Sequence, residues 1–291
     1  LHWTIRFVSL SDHDQPIHRL SQPFDSRRRL TGQRFRMLFY NGGATTQPFT
    51  RCDLVQQVSP EHLASALGRG ELPDRQFLLP HAMGISRDYQ PVAVPARAAL
   101  RAELGIPADA NVVLSVGALE ASVKRMDYVI DEVATMASRP YLVLLGAVTG
   151  ETASIREHAT ERLAGRCIIR TLSRDAVRRM YAVADVFVLA SLLEGFGLAQ
   201  VEALAAGIPC VAHTSPTAAY VLGDQGILGD LRHPGMLAPI LEQALRSTPG
   251  TASARHAYAY GKFSWDVLTQ RYVEMFVAAA RGVRPAFAEL T

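Results

Sequence analysis

Two carboxylates, Glu194 and Glu202, flank the turn Gly195-Phe196-Gly197 with seven residues between them. A carboxylate accepts hydrogen bonds from sugar hydroxyls, each charge-assisted bond contributing on the order of 1.5–3 kcal/mol. Two of them can grip two different sugars. The run Leu198 to Ala206 is apolar and alanine-rich and is stopped by Gly207 and Pro209, so it reads as a helix. Glu194 then lies on the loop and Glu202 inside the helix. Backbone N–H groups near Gly195, Phe196 and Gly197 point out of the helix N-terminus, where unsatisfied donors and the helix dipole favour an anion such as a diphosphate. Glycine lets that backbone approach a ligand closely.

These residues need strands to carry them. Asp185 to Ala190 (DVFVLA) reads as a strand running into the turn Ser191 to Gly197. Asn111 to Ala134 reads as a buried strand, a loop and an amphipathic helix beginning near Lys124. Tyr141 to Gly146 is a short apolar strand, Ser154 to Leu163 a helix, Cys167 to Arg170 a strand, and Ser173 to Ala184 a helix with a Ser N-cap. After Ile208 come another strand, a short helix and a further helix from about Pro234; His213 reads as structural. Such alternation gives a parallel, doubly wound α/β sheet, and ligands bind beyond the carboxyl ends of its strands. Gly117, the Arg170 to Ser173 turn and Glu194 to Gly197 all fall at that edge. Nearer the N-terminus, CDLVQQVSP reads as a strand followed by a helix N-cap and QFLLP as a strand. Pro95 to Arg101 starts a helix. Ser264 to Ala280 is a helix in which Trp265, Leu268, Tyr272 and Phe276 can share a face.

The segment EGFGLAQVEALAAGIPCVA, Glu194 to Ala212, resembles the E-x7-E motif of glycosyltransferase family 4, retaining enzymes of the GT-B fold. Gly117 to Lys124 is similar to that family's G-R…K-G segment, and PHAMG, Pro80 to Gly84, to its linker between domains. The resemblance implies a Rossmann-like C-terminal domain and a partial N-terminal α/β domain. It divides the chain into an acceptor-side part at 1–88, a donor-binding domain at 89–263, and a terminal helix at 264–291 that crosses back toward the first domain. It also implies transfer of a sugar from a nucleotide-sugar donor to a saccharide or lipid-linked acceptor hydroxyl with retention, without metal or cofactor. Glu194 would lie by the transferred sugar and Glu202 by the ribose. The turn Gly195, Phe196, Gly197 and Leu198 would contact the donor, Gly117 and Lys124 would hold its diphosphate, and the backbone of Thr171 and Leu172 would flank its base. Glu194 and Lys124 are the catalytic candidates.

Two positions depart from the pattern: Ala118 stands where Arg is usual and Arg125 where Gly is usual. Removing one cation from a phosphate site costs about 1.5–3 kcal/mol, and Arg125 is the expected replacement. The family's N-terminal domain often supplies a His near the reacting sugar; His2, His13 and His18 lie in the corresponding half, and each reads as a surface residue. Much of that domain is missing from the pattern. The chain is therefore expected to be a fragment, to pair with a separate acceptor-domain chain, or to carry a degenerate domain. The alternative function is a non-catalytic nucleotide-sugar-binding subunit.

Composition excludes other classes. A net charge of +3 is too small to point to nucleic acid. Arg27, Arg28, Arg29, Arg34 and Arg36 form a local basic cluster that reads as a solvated face, or as weak docking to anionic lipid. Asp12-His13-Asp14 has the spacing of a metal-binding DxD site but lies in a polar stretch without supporting signals. Cys52, Cys167 and Cys210 are odd in number and far apart, which reads as reduced thiols and a cytoplasmic protein, with attachment to the inner face of the membrane as the extension.

Overall fold

The computed structural model describes residues 4–9, 35–43, 52–85, 89–91, 94–246 and 250–287. The Asp12 to Asp14 stretch, His2, His18 and Arg27 to Arg34 lie outside the described residues. The chain forms two compact units: Leu1–Met83 with Glu194–Phe196 and Trp265–Thr291, and Gly84–Leu193 with Gly197–Ser264.

The first unit holds a four-stranded parallel sheet of β1 (Thr4–Ser9), β2 (Phe35–Asn41), β3 (Leu54–Gln57) and β4 (Gln76–Leu78), in that order. Asp53 ties β2 to β3, its Oδ2 accepting the Met37 N–H at 2.7 Å and its Oδ1 the Arg36 guanidinium at 3.2 Å. Helix α1 (Pro60–Gly68) begins where expected, because Ser59 Oγ accepts the His62 N–H and Pro60 supplies a ready-made φ. A buried amide ladder crosses the sheet: Asn41 donates to Gln57, Gln57 to Gln76, and Gln76 to Glu71, at 2.7–2.8 Å. Each link satisfies a polar group that burial would otherwise penalise.

The second unit is a six-stranded parallel sheet in the order β10-β9-β8-β5-β6-β7. Chain order gives α2 (Val94–Glu103), β5 (Val112–Val116), α3 (Met126–Thr135), β6 (Tyr141–Leu145), α4 (Thr152–Leu163) and β7 (Cys167–Arg170). Then come α5 (Arg174–Met180), β8 (Val186–Leu189), α6 (Leu198–Ala205), β9 (Cys210–His213), α7 (Pro216–Leu222), β10 (Gly226–Gly229), α8 (Leu237–Arg246) and α9 (Ala252–Phe263). The central strands are wholly buried, Val112 to Leu114, Leu142 to Leu145 and Val186 to Val188 each at 0 % exposure, as continuous apolar runs in a parallel sheet require. Strand β5 sits between β8 and β6, so successive crossovers leave it in opposite directions. The carboxyl ends of β5 and β8 therefore flank the topological switch point, where doubly wound sheets bind ligands.

Two carboxylates lock this layout. Asp185, at the amino end of β8, accepts the Val112 N–H at 2.8 Å and pairs with Arg101 at 2.7 Å and with Arg97. Glu132 on α3 accepts the N–H groups of Gly235, Leu237 and Ala238 and so caps α8. Arg255 and His256 of α9 bind the carbonyls of Gly207 and Ala205 at the far end of α6.

The chain then returns to the first unit as α10 (Trp265–Arg281), whose Leu268, Tyr272, Met275 and Ala279 pack on Leu38, Leu54, Phe77 and Leu79. Its buried face differs from the expected one. Trp265 is 45 % exposed and lies against the Tyr272 ring at 4.8 Å, and Met275 rather than Phe276 points fully inward.

Candidate functional site

In the second unit the loops after β5, β6, β7 and β8 emerge at one edge of the parallel sheet, and most of the sequence-predicted site residues lie on them. Gly117 follows β5 directly, and the aliphatic stem of Lys124 packs over it; a Cβ at 117 would come within 3.1 Å of the Lys124 Cγ and Cδ. The loop between them is held from the side. Glu151, at the start of α4, accepts the N–H groups of Ala121 and Ser122 at 2.8 and 3.1 Å and the Ser122 hydroxyl at 2.7 Å.

Helix α3 begins at Met126, two residues beyond Lys124, because Arg125 takes a left-handed conformation with φ 52°. That conformation explains why glycine suits the position. Arg125, the expected replacement for the cation absent at Ala118, donates from its Nη1 to the Leu231 carbonyl at 2.6 Å and the Ala190 carbonyl at 3.2 Å. The guanidinium also lies 4.0 Å from the centre of the Tyr128 ring. Arg125 thus ties the ends of β8 and β10 to the head of α3.

Thr171 and Leu172 follow β7 as predicted by position. The Thr171 hydroxyl donates to the Gly146 carbonyl at 2.8 Å. Helix α6 opens at Leu198, with Gly197 as its N-cap at φ 81°, a value that strains any residue with a Cβ. The Gln200 side chain folds back over Gly197. Two buried oxygens near this turn, Ser191 Oγ and Gln200 Oε1, have no hydrogen-bond partner among the described residues, which leaves polar groups unsatisfied at the end of β8.

Glu202, in the second turn of α6, is gripped by two phenols. Tyr89 donates to its Oε1 and Tyr181 to its Oε2, both at 2.6 Å. Burial, and then the Glu202 charge, push both tyrosine pKa values well above the ordinary range, so both remain donors. Glu194, Gly195 and Phe196 belong to the first unit. There Phe196 is 3 % exposed with its ring 6.3 Å from that of His81, and a Cβ on Gly195 would collide with the Gly42 carbonyl. Sequence reasoning missed Tyr89, Tyr181 and Glu151, which reach their partners across 113, 21 and about 30 residues and leave no spacing signal. Among the described residues, no three His, Cys, Asp or Glu side chains are grouped to hold a metal, and no helix is long and apolar enough to cross a membrane. All three cysteines are free thiols.

Known proteins share this fold. The structure resembles that of Anabaena HepE, solved with UDP and glucose, with a TM-score of 0.73 and 21 % identity over 84 % of this chain and 72 % of HepE. It also resembles sucrose-phosphate synthase from Thermosynechococcus elongatus, with a TM-score of 0.72 and 21 % identity over 88 % and 71 % of the two chains. The fold is accordingly of the GT-B type. In sequence, a D-inositol 3-phosphate glycosyltransferase of Xylanimonas cellulosilytica is 30 % identical over 228 residues, 73 % of this chain and 53 % of the relative. That of Corynebacterium diphtheriae is 30 % identical over 194 residues, 61 % and 44 % of the two. The chain spans about half the length of these relatives. The profile of the glycosyl transferases group 1 matches residues 96–262, more than half of the chain, and together with the fold this match shows that the chain belongs to the glycosyl transferases group 1 family.

Proposed function

We propose that this chain binds a nucleoside diphosphate sugar along the carboxyl edge of the sheet in its second unit. The sugar is transferred to the hydroxyl of a saccharide or lipid-linked acceptor with its anomeric configuration retained. In this reading the Glu202 carboxylate accepts the ribose hydroxyls, the open amides at the head of α6 and the Lys124 ammonium meet the diphosphate, and the backbone of Thr171 and Leu172 borders the base. Lys124 stabilises charge on the leaving diphosphate as it develops, and Glu194 positions the transferred sugar. The observation that carries the reading is the oriented Glu202 carboxylate on the helix that opens from the switch point. HepE was solved with UDP-glucose, which makes UDP-glucose the first donor to try. Residues 1–88 would then belong to the acceptor side and 89–263 to the donor side.

Calorimetric titration with UDP-, GDP- and ADP-linked glucose tests the donor site without an acceptor. The expected result is selective binding by one of them, weakened about ten- to a hundredfold in Glu202→Ala, whereas Glu194→Ala mainly lowers transfer. Folded protein that binds none of the three overturns the reading. A second reading, a nucleotide-sugar-binding subunit that acts with a separate acceptor chain, is favoured by Ala118 and by the engagement of Arg125 with the carbonyls of Ala190 and Leu231. It predicts donor binding without transfer until that chain is added.

A further inference from the structure

We infer that Tyr89 and Tyr181 are positioning residues that make Glu202 a reader of the ribose diol. The inference rests on the proposal that Glu202 meets the ribose. An ionised carboxylate offers about four lone-pair sites, two on each oxygen. The phenols occupy one on each, Tyr89 on Oε1 and Tyr181 on Oε2, both at 2.6 Å. Among the described residues, one acceptor site therefore remains on each oxygen. Two adjacent hydroxyls on a ribose present two donors at matching separation, whereas a 2′-deoxyribose presents one.

Both phenols are held from behind. The Tyr181 ring is completely buried, packed edge-on to Tyr89 with ring centres 6.1 Å apart and tilted against Phe187 at 6.0 Å. Its hydroxyl also lies 3.4 Å from the Ala199 carbonyl in the first turn of α6. Tyr89 is 3 % exposed, and the Arg178 guanidinium flanks its ring at 5.9 Å. The two donors reach the carboxylate from separate elements, Tyr89 from the segment ahead of α2 and Tyr181 from the short turn after α5. A glutamate on a helix otherwise rotates about three side-chain bonds, and fixing them before the ligand arrives removes part of the ordering that binding requires. The burial that raises both phenol pKa values keeps the two protons in place above neutral pH.

The test is calorimetric titration of the full chain with UDP and 2′-deoxy-UDP, and in parallel with GDP and 2′-deoxy-GDP. Wild type, Tyr89→Phe and Tyr181→Phe are compared, with thermal melting as the check on folding. Wild type should bind the preferred ribonucleotide about tenfold or more tighter than its deoxy form. Each Phe variant should lose most of that preference, weakening the ribonucleotide about tenfold and leaving the deoxy ligand nearly unchanged. A Phe variant that weakens both ligands equally, or that keeps the wild-type ratio, overturns the positioning role while leaving Glu202 as a ribose ligand. Wild type that binds both forms of a nucleotide equally well overturns the ribose role of Glu202, and this inference with it.

Discussion

Glu151 Oε2 accepts the Ala121 N–H at 2.8 Å, so the start of α4 holds the loop that leads to Lys124. The bond to the Ser122 hydroxyl, followed by the bond from the Ala121 N–H, holds the Glu151 pKa below its ordinary value of 4.5. A carboxylate whose pKa falls on folding stabilises the fold above its unfolded value, and that contribution is lost as the pH falls through the lowered value. Hydrogen exchange at Ala121 and Ser122 is therefore expected to show protection at neutral pH that fades in acid below 4.5. In Glu151→Gln the protection at neutral pH should be reduced and its acid dependence lost, because the two N–H groups that share Oε2 would meet a neutral acceptor in place of a charged one. Unchanged protection at both amides in the variant would show that the loop holds itself.

Two opposing effects meet at Arg125. Its left-handed backbone, φ 52° and ψ 43°, disfavours a side chain by about 1–2 kcal/mol. The same side chain donates to two carbonyls and covers the Tyr128 ring. Each hydrogen bond from a charged donor contributes about 1.5–3 kcal/mol, so the contacts outweigh the strain. Arg125→Gly, although glycine fits the backbone better, should lower stability by about 1–3 kcal/mol and Tm by several degrees, read by thermal melting. A rise in Tm would mean that the backbone strain outweighs the contacts.

The contrast between Arg125 and the strands explains how much of this molecule was legible in its sequence. Cys167 to Arg170 forms the expected strand to the residue, and the strands at 141, 186 and 210 begin within a residue or two of their predicted starts, because buried parallel strands are unbroken apolar runs bounded by glycine and proline. Ser173 and Ser59 cap the helices expected of them, through contacts three residues away. What the sequence hid was set by tertiary contact. Nothing local marks Tyr89 as a partner of Glu202, and nothing in the residue type of Arg125 distinguishes a cation aimed at a phosphate from one bound to the carbonyls of Ala190 and Leu231. The terminal helix shows the same limit, since helical spacing allows Trp265 on the buried face but only the sheet beneath decides that Met275 fills it.

Ala118 offers a direct way to locate the diphosphate. It is half-buried beside Gly117, just beyond the carboxyl end of β5, where the resemblance to family 4 would place an arginine. If the donor's diphosphate lies over the head of α6 and against Lys124, Ala118→Arg adds a guanidinium to the same anion and should tighten UDP binding about tenfold or more. Lys124→Met should weaken it by a similar factor, and both effects should shrink as salt screens the charges. Titration of the two variants at low and high salt reads both. A folded Ala118→Arg protein with unchanged affinity for UDP would place the phosphates away from the end of β5, and the assignment of Gly117 and Lys124 to the donor site would fall with it.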